Sequence, residues 1–130
     1  MARRPRDTGC PFCMMDENQI VARNRLAYAV RDTSPVTALH TLVLPDRHVS
    51  SYFDLEAVEK SAIDELLDEA RIEILRHDAT VAGFNIGANV GMAAGQTIFH
   101  CHVHLIPRRR GDVANPRGGV RAVIPGKADY

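Results

Sequence analysis

His100-Cys101-His102-Val103-His104-Leu105-Ile106 alternates histidine with smaller or apolar residues, a two-residue period that predicts extended chain over about Thr97 to Ile106. The three imidazoles then share one face, and Cys101, Val103 and Leu105 turn the other way, into a core. At roughly 3.3 Å of rise per residue, successive rings attach about 7 Å apart, near enough to serve one substrate or one metal. Six histidines scattered at random in 130 residues seldom place three in register, and a core strand would use Val or Ile there. Three clustered imidazoles repel when protonated together. At least one therefore stays neutral near pH 7 with a nucleophilic nitrogen. A three-histidine metal centre fits the same spacing, because His-x-His pairs on strands make good zinc ligands.

Around this strand the chain punctuates itself with Pro and Gly. The runs 26–31 and 40–44 are short and apolar, and the turn-rich Asp32-Thr33-Ser34-Pro35 lies between them, so they read as neighbouring antiparallel strands. Leu55, Val58, Ala62, Ile63, Leu66, Leu67, Ala70 and Ile74 recur at three- and four-residue steps, predicting an amphipathic helix from Leu55 to about His77 with Asp54 as its cap. Residues 82–90 form a glycine-interrupted strand, and Gly91 to Gly95 a loop of small residues. The expected architecture is α+β: an antiparallel sheet of about five strands, one long helix and a short N-terminal helix.

With 45% apolar residues, 130 residues fill one core, so residues 1–130 read as one domain with 108–130 as a basic tail. Sixteen basic and sixteen acidic residues balance, which removes the global field that nucleic acid or an anionic membrane would need. Met1-Ala2-Arg3-Arg4-Pro5-Arg6-Asp7 is basic, but no long apolar stretch follows it. The expectation is a cytoplasmic protein without signal peptide or membrane anchor. Three cysteines, two of them in Cys10-Pro11-Phe12-Cys13, suit metal or redox chemistry better than a disulfide framework.

The stretch Gly95-Gln96-Thr97-Ile98-Phe99 leading into the three histidines and Leu105-Ile106 resembles the signature of the histidine triad family. Further likeness lies in Asp32-Thr33-Ser34-Pro35, in His40-Thr41-Leu42-Val43-Leu44-Pro45 with His48 after it, and in Asn85 and Asn89. Pro107-Arg108-Arg109-Arg110-Gly111-Asp112 is more similar to the branch of fragile histidine triad and dinucleoside polyphosphate hydrolases. The resemblance implies a homodimeric nucleotide hydrolase that acts on nucleoside 5′-phosphate derivatives, with adenine preferred, through a covalent nucleotidyl-histidine and without a cofactor for the chemical step. A nucleotidyltransferase or phosphorylase, an adenosine phosphoramidase, and a nucleotide-binding regulator are its alternatives.

Carried over by position, the resemblance makes His102 the nucleophile toward the α-phosphorus, provided a backbone carbonyl or neighbour holds its Nδ1 proton. His104 contacts phosphate oxygens and the leaving side, and His100 flanks them. Gln96 and Thr97 clamp the scissile bridge. Asn89 and Gly95 lie beside the phosphates, and Asp32 meets the ribose hydroxyls. His40 buttresses the triad or is simply a satisfied core histidine. The family often carries glycine just before this histidine, where this chain has Leu39. Cys10 and Cys13 resemble a zinc half-site completed by His48 and His100, which makes any zinc structural. The open alternatives are a pair of reduced thiols and, with less context, a redox pair. The tail arginines and Lys127 read either as a cover for polyphosphate or as a solvated basic end.

Overall fold

The computed structural model describes residues 7–130; the basic stretch Met1–Arg6 lies outside the described residues. Among the described residues, five strands build one antiparallel sheet: β1 (Ile20–Arg23), β2 (Ala27–Arg31), β3 (Thr41–Pro45), β4 (Val81–Gly87) and β5 (Val103–Arg109), in the order β1-β2-β3-β5-β4. One long helix, α1 (Ala57–His77), lies between β3 and β4 in the chain. This is the expected α+β fold. The expected N-terminal helix is a single 3-10 turn, Glu17–Gln19.

The two-residue period sorts each central strand onto two faces. Ala27, Ala29, Val43 and Val103 pack with Ala62, Ile63 and Leu66 of α1, and Leu105 packs with Ala70 and Ile74 of the same helix. Tyr28, Val30, Leu42 and Leu44 point to the opposite face, where Cys10, Phe12 and Cys13 cover them. With both faces covered, β2 and β3 bury every residue except Arg31. That explains why they read as continuous apolar runs.

α1 starts later than its periodicity predicts. Asp54 belongs to a separate 3-10 turn, Tyr52–Asp54, and the cap is Glu56, whose side chain accepts the Glu59 N–H while the Glu59 side chain accepts the Glu56 N–H in a capping box. Glu59 is 1% exposed and also takes a fork of hydrogen bonds from Arg47, from Nη2 at 2.7 Å and Nε at 3.1 Å. Val58, placed by spacing in the apolar stripe, is exposed, and Leu55 is buried just ahead of the helix.

Two strand expectations shift. β4 ends at Gly87, so Asn89 lies in the loop beyond it. β5 begins at Val103, so of the three histidines only His104 sits in the ladder, opposite Leu42 and Gly87. The segment expected as strand from Thr97 bends instead, and the Cys101 N–H donates to the Val49 carbonyl at 2.6 Å rather than to a neighbouring strand. Past β5 the chain turns back over β4. Arg108 bonds Asn85 and Asp112, Arg109 pairs with Asp78, and Arg117 and Arg121 stack over Tyr130.

Candidate active site

A cavity of about 360 Å³ opens on the sheet face away from α1. His102, His104, Asp32, Asn89, Gly95 and Thr97 line it, which gathers most of the polar residues singled out from sequence. Its apolar wall consists of Phe12, Met15, Val30, Leu42 and Ile98, none of them anticipated. Val30 and Leu42 fall in runs that are apolar and buried on both faces, so their sequence does not say which face meets the cavity. Phe12 and Met15 carried no signal, because the N-terminal segment reaches the cavity only through the fold.

His102 presents its ring at the junction of loop and strand. Its Nδ1 lies 2.8 Å from the His100 carbonyl oxygen, and a carbonyl only accepts, so Nδ1 carries the proton and Nε2 keeps a lone pair. The His102 and His104 rings lie 5.2 Å apart between centroids.

His104 is held by a chain of hydrogen bonds that fixes both tautomers. The Val36 N–H donates to His40 Nδ1 at 3.0 Å, so in neutral His40 the proton resides on Nε2. His40 Nε2 lies 2.9 Å from His104 Nδ1, and donation across that gap leaves the proton of neutral His104 on its own Nε2. Burial, with His102 and then His40 as neighbours, pushes the His104 imidazolium down to about 4 against Asp32, which favours it. Burial lowers His40 as well, again opposed by Asp32. Both rings are therefore neutral at pH 7, His104 with an N–H to offer beside His102 and His40 as its support. Asp32 is presented by an Asx turn, its Oδ1 accepting the Ser34 N–H at 2.8 Å, and its Oδ2 lies 3.6 Å from His40 Nε2.

His100 and Gln96 differ from expectation. His100 is fully buried and does not line the cavity. Its Nε2 donates to the Pro45 carbonyl at 2.8 Å, and its Nδ1 faces Cys10 Sγ at 3.6 Å, Cys13 Sγ at 3.4 Å and His48 Nδ1 at 3.2 Å. The shared face of three rings thus divides, two to the cavity and one to the cysteines, because the chain bends before Val103. Gln96 is buried and spent on its own loop: Oε1 accepts the Gly91 N–H at 2.9 Å, and Nε2 donates to the Ser50 and Ile98 carbonyls. It braces the segment that carries Gly95 and Thr97 and does not reach the cavity. The tail arginines do not line the cavity either.

Cys10, Cys13, His48 and His100 converge within 4.8 Å of one another. Tetrahedral zinc with ordinary Zn–S and Zn–N lengths places its nitrogen ligands roughly 3.3 Å apart and nitrogen from sulfur roughly 3.6 Å, close to the spacings found here. The Pro45 carbonyl holds the far proton of His100, which leaves the Nδ1 lone pair toward the thiols, as in metal-ligating histidines. Asp32, His40 and His104 also cluster within 4.8 Å. There the Val36 N–H occupies the His40 lone pair and keeps a proton on the nitrogen facing His104. The first cluster could hold a cation, and the second shares a proton.

The HIT domain model matches residues 15–111. An AP-4-A phosphorylase from Mycobacterium tuberculosis is 36% identical over 106 residues, 81% of this chain and 54% of that protein. A bis(5′-nucleosyl)-tetraphosphatase (asymmetrical) from Schizosaccharomyces pombe is 32% identical over 95 residues, 73% of this chain and 52% of its own length. The chain thus spans about half the length of these named relatives. Among solved structures, a HIT family protein from Bacillus anthracis superposes with a TM-score of 0.72 at 36% identity, covering 78% of this chain and 74% of that one. A Zn-bound histidine triad family protein from Mycobacterium smegmatis gives 0.70 at 30% identity, covering 82% and 79%. The matched span runs from the turn before β1 through the loop after β5 and so takes in every cavity-lining histidine: this chain belongs to the histidine triad, or HIT domain, family.

Proposed function

We propose that this chain hydrolyses nucleoside 5′-phosphate derivatives, dinucleoside polyphosphates foremost, through a nucleotidyl-histidine formed on His102. The observation that carries the reading is the His102 ring at the cavity wall with its Nδ1 proton anchored on the His100 carbonyl, which reserves Nε2 for phosphorus.

In the first step Nε2 bonds the α-phosphorus and the bond to the bridging oxygen breaks. The departing polyphosphate takes its proton from solvent, or shares the His104 Nε2–H as a hydrogen bond. The His100 carbonyl stabilises the ring as it becomes cationic. In the second step water bonds the phosphorus, the P–N bond breaks, and the water proton leaves with neutral His102 regenerated. Asn89, Thr97 and the backbone at Gly95 supply uncharged contacts to phosphate oxygens, and Asp32 suits a ribose diol. The apolar wall of Phe12, Met15, Val30, Leu42 and Ile98 suits a flat base, adenine by likeness to the relatives.

A phosphorylase is the second reading, favoured by the mycobacterial relative: inorganic phosphate replaces water in the second step and the product is a nucleoside diphosphate in place of AMP. Product analysis with and without phosphate separates the two. The covalent step is tested by intact mass after mixing with diadenosine polyphosphate. An acid-labile AMP adduct that vanishes in His102→Ala supports the mechanism, and turnover without any adduct, persisting in that variant, removes it.

Zinc held by Cys10, Cys13, His48 and His100 is read as structural, binding the N-terminal segment to the sheet. Metal analysis of protein purified without chelator tests it. A homodimer is read from family likeness, and a cytoplasmic location from the Cys10-x-x-Cys13 spacing, which suits metal chemistry better than a disulfide.

A further inference from the structure

We infer that the Cys10–Cys13 loop is a metal-set wall of the nucleotide cavity, so that zinc at Cys10, Cys13, His48 and His100 and nucleotide at His102 bind with positive coupling. The inference rests on the nucleotide and zinc readings above and adds a linkage between them.

Three contacts join the two sites. Phe12 lies between the cysteines, and its ring packs against His102 on one side, 5.0 Å between centroids, and against His100 on the other, at 6.1 Å. His100 offers its Nδ1 to the cysteine side, and its own backbone carbonyl holds the Nδ1 proton of His102. Thr97 and Ile98 line both the nucleotide cavity and a second cleft of about 320 Å³ that opens on Cys10 and His48.

The loop packs on Tyr28, Val30, Leu42 and Leu44 through Cys10, Phe12 and Cys13, apolar contacts that fix its depth and carry little direction. Tyr28 donates to the Phe12 carbonyl at 2.6 Å, and the Met14 and Met15 N–H groups return to the Cys10 and Phe12 carbonyls within the loop itself. Ligand bonds from both cysteines to one ion, shared with a histidine rooted on Pro45 and another after β3, would add directional restraint to a wall otherwise set by apolar packing. Ordering it beforehand spares the nucleotide that cost, and a nucleotide stacked on Phe12 holds the loop for zinc in return. Because the coupling is thermodynamic, the two ligands must tighten each other by one common factor.

The experiment closes that cycle on the full chain. AMP affinity is measured by calorimetry on zinc-loaded and chelator-stripped protein, and zinc affinity by competition with a chromogenic chelator with and without saturating AMP. About tenfold tightening is expected in both directions, in the range common for coupled sites. In Phe12→Ala, zinc still binds and the factor falls below about twofold. Phe12→Leu, which keeps an apolar side chain, serves if the alanine variant does not fold, and an intermediate factor is expected. Equal AMP affinity with and without zinc overturns the inference alone. The same tightening in both Phe12 variants overturns it too, because that is what general stabilisation of the fold produces. Failure of the loaded protein to bind AMP, or of the protein to bind zinc, overturns the underlying site reading and the coupling with it.

Discussion

His102 Nδ1 sits 2.8 Å from the carbonyl oxygen of His100, so one residue of the triad fixes the protonation of the next through its backbone and not its ring. On the proposed mechanism, His102→Ala lowers turnover of a diadenosine polyphosphate by about 10⁴-fold or more, because that mechanism loses its nucleophile while the cavity remains. AMP affinity should change by only a few-fold. Steady-state kinetics and calorimetry on the same preparation check both, and a variant that keeps a tenth of its activity would remove His102 from the reaction.

The His40–His104 pair predicts a pH dependence of stability. The native value for His104, about 4, lies below its ordinary 6.5, so the unfolded chain binds more protons between the two. The stability this neutral ring confers is present above about pH 6.5 and is lost as pH falls toward 4. Its contribution to the loss between pH 7 and pH 4.5 amounts to at most about 2.5 kcal/mol, and His40 acts in the same direction. Urea denaturation at the two pH values should show a smaller difference for His104→Gln than for wild type. By the same shift, the acid limb of kcat above pH 5 should not belong to His104.

Thr97 and Asn89 line the cavity and carry no charge. Thr97→Val and Asn89→Ala should each reduce kcat/KM about 10- to 100-fold, the range for one lost hydrogen bond to a charged group, with little change in Tm because both side chains are exposed. Gln96→Ala separates positioning from contact. It should lower Tm and kcat together, since it releases the Gly91–Gly95 loop from Ser50 and Ile98.

Leu39 stands at φ 72°, the left-handed region that favours glycine, immediately before His40. Its side chain packs against the buried group of Ala70, Ile74, Val81 and Leu105, so a strained backbone is exchanged for apolar contact. Leu39→Gly relieves about 1 kcal/mol of strain and gives up a similar amount of partly buried surface. Denaturation should find the two nearly balanced, and Leu39→Val, branched at Cβ, clearly less stable than either.

The helix, the two central strands and the chemistry of the cavity were legible because each has a period or a residue type that only one environment explains. β1 was not. Ile20–Arg23 is four residues long and at the sheet edge, and although half-buried and exposed residues alternate along it, Ile-Val-Ala is apolar throughout, so no alternation of polarity announces it. The division of the triad was hidden for a different reason. Alternation tells which residues share a side of an extended chain, but nothing local announces that the chain bends ahead of Val103 and that Val49 takes the Cys101 N–H. The capping box at Glu56 and Glu59 was overlooked in favour of Asp54 because a buried glutamate looks polar in a periodicity count, and its arginine partner lies twelve residues away.

His102 sits just ahead of β5 and His104 at the rung after Val103, opposite Leu42, while Leu105 in the next rung is locked under α1. Mechanical firmness and chemical adaptability therefore occupy different ends of one segment. Substitutions in the interior at Ala62, Ala70 or Val81 should move stability with little disturbance to turnover, and altered reactivity should be sought among residues 96–102, which lie outside the strand ladder.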